Sequence, residues 1–154
     1  MTSLAAPTLL IRDALPADDG ALARLFAAQL TDHGVASDAA GTARSLELVR
    51  RQGERAQLLV AVREGAAVGL LFANRFVSFE RPGLGWFIEE LFVAPEARRR
   101  GVARALLAEL RRRAEAQGCS VLGLQLQQGH AAAAALYREL GFRWLERQAL
   151  ELGL

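Results

Sequence analysis

Trp86 to Ala108 reads WFIEELFVAPEARRRGVARALLA. An apolar run, interrupted only by Glu89-Glu90, has the character of a strand from Trp86 to Val93. Pro95 turns the chain, Arg98-Arg99-Arg100-Gly101 follow, and a helix opens at Ala103. A strand that ends in a glycine-containing turn with a helix behind it aims backbone N–H groups and a positive dipole end at one spot. The arginines add charge and bidentate geometry there. This stretch therefore predicts a phosphate-bearing ligand and an α/β architecture with the ligand at the strand-to-helix junction.

Working outward, Leu9 to Arg12 reads as a first strand. Pro16-Ala17-Asp18-Asp19 signals a turn and a helix start, and Leu22, Leu25, Phe26 and Leu30 follow at helical spacing. Thr31 to Asp38 reads as a polar loop, with Ser37 or Asp38 capping a second helix that runs to about Gln52 and stops at Gly53. Gln57 to Arg63 and Ala67 to Phe79 form a hairpin turned at Gly65. Arg81 to Gly85 reads as a loop before the Trp86 strand. Helix Ala103 to Ala116 stops at Gly118. Val121 to Leu126 is a strand, Ala131 to Leu140 a short helix stopped at Gly141, and Phe142 to Leu152 a closing extended segment. The order is strand, two helices, three strands, helix, strand, helix, strand, with no linker and no internal repeat. That is a mixed α/β fold around a central sheet, and 154 residues fit one domain spanning 1–154.

Composition limits the function classes. With 52% hydrophobic and 23% charged residues the chain is globular rather than disordered. No run approaches the roughly 18 apolar residues of a membrane span. The start, MTSLAAPTLLIRDA, has no basic region ahead of its apolar patch and predicts no signal peptide. Cys119 is the sole cysteine, which precludes an internal disulfide, fits a cytoplasmic location and reads as a small core filler rather than a nucleophile. All 19 basic side chains are arginine, so a net charge of only +2 coexists with a pI of about 9.4. That is too little excess charge for a general nucleic-acid binder. Arg111-Arg112-Arg113 reads as a solvated face with favourable charge at a helix C-terminus. No Cys/His cluster predicts a metal.

Two constellations carry chemistry. Arg98-Arg99-Arg100-Gly101-Val102-Ala103 spaces Arg-x-x-Gly-x-Ala, in which Gly101 permits the turn and Ala103 lets a helix start approach a pyrophosphate. Far downstream, His130-x-x-Ala133-x-x-Leu136-Tyr137-x-x-x-Gly141-Phe142 sets Ala133 and Tyr137 on one helical face. Tyr137 suits proton donation to a sulfur leaving group, and equally suits a place in an amphipathic core.

Together the two pieces resemble the GNAT superfamily of acetyl-CoA-dependent N-acetyltransferases. Arg98 to Ala103 matches its Gln/Arg-x-x-Gly-x-Gly/Ala pyrophosphate loop. Glu-Glu-Leu-Phe-Val-Ala-Pro-Glu is similar to its fourth strand, and Leu-Tyr-Arg-Glu-Leu-Gly-Phe to its last helix. Arg81-Pro82-Gly83-Leu84 with Glu89-Glu90 looks most like the diamine and polyamine acetyltransferase group.

The resemblance implies a mostly antiparallel sheet whose fourth and fifth strands splay apart, with the pantetheine arm of acetyl-CoA in the gap. It implies that Leu91, Phe92 and Val93 bond that arm through the backbone. Arg98, Arg99, Arg100, Gly101, Val102, Ala103 and Arg104 would surround the pyrophosphate, and Tyr137 would protonate the departing thiolate. Glu89 is the leading base and Glu90 the alternative. Adjacent strand residues face opposite sides, so only one normally enters the cleft, unless a β-bulge changes which. His130 stands where the family often has Asn beside the pantetheine and, with Ala133, would line the cofactor. A histidine base is a further reading, and His33 lies in a loop that often meets the acceptor.

The implied activity is acetyl transfer from acetyl-CoA to a primary amine of a small molecule (a polyamine, an aminoglycoside or an amino-acid-like amine) by direct attack in a ternary complex. Asp32, Asp38, Glu80, Glu89 and Glu90 supply negative charge for such a cation. A protein or peptide amine is an alternative acceptor, and a non-catalytic acyl-CoA-binding module an alternative class. The resemblance is compatible with a homodimer through the sheet edge or the C-terminal strand.

Overall fold

The computed structural model describes residues 8–154; the leaderless start expected from MTSLAAP falls outside them, as does the N-terminal edge of the 1–154 domain. Five strands form one sheet in sequence order: β1 (Leu9–Asp13), β2 (Ala56–Arg63), β3 (Ala66–Ser78), β4 (Gly83–Val93) and β5 (Val121–Leu124). The first four are antiparallel; β5 runs parallel to β4. Helices α1 (Asp19–Asp32) and α2 (Ala39–Arg51) precede β2, α3 (Val102–Ala116) joins β4 to β5, and α4 (Ala131–Glu139) follows β5.

Local chemistry sets the helix ends. Asp18 precedes α1, accepts from the Leu15 N–H at 2.7 Å and is held by both terminal nitrogens of Arg12 at 2.7 and 2.9 Å. The Arg12 bond draws the Asp18 carboxyl below its ordinary range against the opposing effect of burial. Asp38, not Ser37, caps α2 by accepting from the Ala40 N–H at 3.1 Å.

Each sheet face carries its own core. Leu22 and Leu25 of α1, Leu46 of α2 and Val60, Leu70 and Phe92 of the sheet fill one. Leu59, Leu71, Trp86 and Ile88 meet Val102, Leu106, Leu107 and Leu110 of α3 on the other, with Leu136 and Tyr137 of α4 packed alongside. The wholly buried Trp86 keeps its indole N–H satisfied by the Gln117 side-chain oxygen at 3.1 Å. Gly85 is a packing requirement: a Cβ there would lie 2.7 Å from Val121 Cγ1 and 2.8 Å from Phe76 Cζ.

Three expectations are corrected. β4 begins at Gly83, so the Arg81–Gly85 loop is largely strand, paired with β3 as far as Ser78↔Gly83. β5 ends at Leu124 rather than Leu126. Phe142 to Leu152 joins no sheet, and no strand pairs with the outer edge of β5 among the described residues. Its alternation of apolar and polar residues suits a strand, but a strand needs a partner edge, and Trp144, Leu145, Leu150 and Leu152 are exposed. No helix among the described residues is long and apolar enough to cross a membrane.

Candidate active site

The site begins where two strands part. The β4–β5 ladder runs from Gly85↔Val121 to Ile88↔Leu124 and stops, while β4 continues through Glu89 to Val93. Past Ile88 the β5-facing backbone edge of β4 is free for an extended ligand arm. This is the expected splay, and it brings Leu91, Phe92 and Val93 to its rim.

A β-bulge sits at the same place. Phe72 pairs with Glu90 and Ala73 with Ile88, so Glu89 is the extra residue. Trp86 and Ile88 belong to the α3 core, whereas Phe92, beyond the bulge, belongs to the α1/α2 core. The bulge therefore switches which face alternate residues occupy, and both carboxylates reach the α1/α2 side. Glu89 is exposed and accepts from Asn74 Nδ2 at 3.3 Å. Glu90 is half-buried and accepts from Gln29 Nε2 of α1 at 2.5 Å. Burial pushes the Glu90 carboxyl above its ordinary range. The Gln29 bond and the charge of His33 pull it down, and Glu89 pushes it further up.

β4 hands over to α3 through the arginine turn. Arg99 (φ 59°) and Gly101 (φ 78°) both take left-handed backbone conformations, which turn successive N–H groups toward one concavity. The first intrahelical bond of α3 runs from the Ala105 N–H to the Gly101 carbonyl at 3.0 Å. Val102, Ala103 and Arg104 thus keep N–H groups without an intrahelical acceptor, and Gly101 brings no side-chain cap. Nothing lies within 4 Å of where a Gly101 Cβ would stand. Open space, free donors and the positive helix end fit a pyrophosphate.

The arginine side chains divide. Arg99 and Arg100 are exposed. Arg98, also exposed, folds back on the end of β4: its Nε donates to the Val93 carbonyl at 2.9 Å, its Nη2 to Asp32 at 2.9 Å, and its guanidinium lies 5.4 Å from the Phe92 ring centroid. Arg104 pairs with Glu139 of α4.

α4 closes the far side. Tyr137 is half-buried, meets the Phe142 ring edge-on at 5.5 Å, and burial raises its hydroxyl pKa. Ala133 is likewise half-buried, one turn earlier. His130 occupies the N-cap position without capping and meets the His33 ring edge-on at 5.9 Å, so the only two histidines in the chain bridge α1 and α4. The structure thus gathers Glu89, Glu90, His33 and His130 at one end of the splay, and ties Asp32 to the arginine turn. Asp38 pairs with Arg44 and Glu80 with Arg147, away from this cluster. No group of three or more His, Cys, Asp and Glu among the described residues is arranged to hold a metal ion.

Sequence reading missed Gln29. It is 5% exposed, the one buried polar residue among the described residues. A signal was present: Gln29 continues the Leu22, Leu25, Phe26 stripe at i+3 and i+4, where an amide side chain is out of place unless it has a partner.

Residues 22–142 match the acetyltransferase (GNAT) family. An N-acetyltransferase of Bacillus subtilis strain 168, YhfO, itself uncharacterized, is 28% identical over 134 residues, covering 86% of this chain and 88% of that protein. Among solved structures, the aminoglycoside N-acetyltransferase AAC(6')-Iy in complex with CoA superposes with a TM-score of 0.84 at 21% identity, covering 99% of each chain. An aminoglycoside acetyltransferase from an uncultured soil metagenomic sample gives a TM-score of 0.72 at 28% identity, covering 96% of this chain and 99% of that one. The fold, with its splayed strands, is that of a GNAT-type acyltransferase, and the chain belongs to the GNAT acetyltransferase family. It is an acetyl-CoA-dependent N-acetyltransferase.

Proposed function

We propose that the protein acetylates a primary amine of a small cationic molecule by direct attack in a ternary complex, with Glu90 as base and Tyr137 as acid. The observation that carries this reading is the bulge at Glu89, which turns two carboxylates toward α1 at the splay. An alkylamine is mostly protonated at neutral pH and must lose a proton before it attacks a thioester. A half-buried carboxylate with a raised pKa is suited to take it. Glu89, which sequence alone ranked first, is exposed, and its charge attracts the cation at the mouth. Leu91, Phe92 and Val93 bond the pantetheine arm and polarise the carbonyl through backbone N–H groups. The turn from Arg99 to Arg104 holds the pyrophosphate, with Arg98 bracing it to β4 and α1. His130 and Ala133 line the arm beside α4. Tyr137 delivers its proton to the leaving sulfur, and its raised pKa keeps that proton in place until the thiolate forms.

The two aminoglycoside acetyltransferases among the structural neighbours support a polycationic small acceptor. A nucleic-acid partner is disfavoured because the net charge is only +2 and about half of the arginines pair with carboxylates. Even the Arg111-Arg112-Arg113 run pairs with Glu115, Glu109 and Asp13. The exposed Trp144, Leu145 and Leu150 support a homodimer through the C-terminal segment, and the single cysteine supports a cytoplasmic setting. The test is Glu90→Gln with both substrates varied. Intersecting initial-velocity lines in the wild type and a fall in kcat of about 10²- to 10⁴-fold in the variant are expected. Undiminished kcat in Glu90→Gln removes Glu90 as base.

A further inference from the structure

Gln29 is more than a bystander in the α1/α2 core. Its Nε2 donates to Glu90 Oε2 at 2.5 Å, while its own Oε1 is buried without a hydrogen-bond partner. An orphan buried carbonyl is costly and calls for a reason. The arrangement satisfies the ionised carboxylate and leaves an acceptor idle. Rotating the amide by half a turn exchanges the two groups: Oε1 then faces Glu90, and a protonated Glu90 donates its O–H to it.

Building on the reading of Glu90 as base, we propose that Gln29 is the positioning residue that holds Glu90 through proton transfer, donating to its carboxylate before the step and accepting from its carboxylic acid after it. The balance is simple. The acceptor nitrogen forms its bond to the acetyl carbon and loses a proton, which bonds to a Glu90 oxygen; the carbon–sulfur bond breaks, the departing thiolate takes the Tyr137 proton, and the Gln29 amide turns without changing charge. Glutamine is suited to this because it alone at this contact can be donor or acceptor without titrating. Asparagine would fall short of the contact, and an aliphatic side chain would serve neither state.

The other groups facing Glu90 cannot do both. Glu89 on β4 bears like charge and bonds Asn74. His33, at the end of α1, acts on Glu90 only through its charge and stacks edge-on with His130 of α4. Phe72, the register partner on β3, is apolar. The same helical face that carries Gln29 also carries Asp32, bonded to Arg98, and His33, so α1 is anchored at both the phosphate turn and α4 while Gln29 reaches Glu90.

The experiment compares wild type, Gln29→Met and Glu90→Gln by the ¹³C titration of the Glu90 carboxyl, the pH profile of kcat and the Kd for acetyl-CoA. Loss of the Gln29 donor destabilises the ionised form. The Glu90 midpoint and the acid limb of kcat should therefore rise together by about one pH unit in Gln29→Met, with Kd for acetyl-CoA within twofold. An unmoved Glu90 midpoint in Gln29→Met, with Glu90→Gln inactive, overturns the role of Gln29 and leaves the base assignment standing. Full turnover in Glu90→Gln overturns both. Where Gln29→Met fails to fold, Gln29→Asn replaces it. Its side chain, one methylene shorter, breaks the contact and predicts the same upward shift, and an unmoved midpoint again refutes the proposal.

Discussion

Gly101 is where the phosphate assignment is most exposed to test. Its φ of 78° is left-handed, so any other residue there is strained by about 1–2 kcal/mol whatever the space around it. The space itself is open, with no atom within 4 Å of an added Cβ. Gly101→Ala therefore isolates the backbone cost: a loss of about 1–2 kcal/mol in stability and a modest change in acetyl-CoA affinity. Gly101→Glu adds a carboxylate at the helix start. With a pyrophosphate of charge about −2 roughly 5 Å away, the repulsion is about 1.7 kcal/mol at the dielectric of water and about four times that at a partly shielded surface. Affinity should fall by more than about tenfold beyond the Gly101→Ala value. Since a Debye length is about 10 Å at 0.1 M salt, the penalty should shrink as salt rises. Isothermal titration calorimetry of acetyl-CoA against the three proteins at two salt concentrations reads all of this. If Gly101→Glu binds acetyl-CoA as tightly as Gly101→Ala, the pyrophosphate is not at this turn and the reasoning fails.

Four further outcomes are expected. Tyr137→Phe should lower kcat by about 10- to 100-fold and leave the Kd for acetyl-CoA unchanged; full turnover across the pH range would rule out Tyr137 as the acid. Glu90→Gln should raise Tm at pH 7 while lowering turnover. A carboxyl whose pKa is raised on folding weakens the fold above that pKa and ceases to do so as pH falls through it, so the Tm gain should fade in acid. Glu109, held by Arg112 and Arg113 at a pKa of about 2, stabilises the fold above the unfolded value of 4.5, and that stability is lost as pH falls through about 2. Because Arg112 is exposed and screened, Glu109→Gln should cost only about 1 kcal/mol near neutrality by urea denaturation, the difference vanishing near pH 2. Leu106→Ala, at a fully buried α3 position, should cost about 2–5 kcal/mol by the same assay.

The turn into α3 was legible because its determinants are local: Gly101, the arginines and the α3 start lie within a few residues of one another. Helix starts at Asp18 and Asp38 were legible for the same reason. What the chain hid depended on contacts between distant segments. The bulge at Glu89 arises from the register of β4 on β3, and period-two reading assigns Glu89 and Glu90 to opposite faces until an extra residue is admitted. The pairing of Arg98 needs Asp32 at the end of α1, and the His33–His130 contact needs α1 and α4 to converge. The closing segment after Phe142 has the alternation of a strand, but alternation does not supply the partner edge that pairing requires. Gln29 was visible only as an amide on an apolar stripe; what makes it meaningful is Glu90, on a strand far along the chain.

The measurement that bears most directly on the central claim is acetyl-CoA turnover, followed as free thiol release, across polyamines, aminoglycosides, amino acids and short peptides. Thiol release that depends on a polycationic small amine, with one acetyl group gained by that amine in the mass spectrum, is the predicted result. Tight acetyl-CoA binding with no amine-dependent release from any small-molecule class would contradict it.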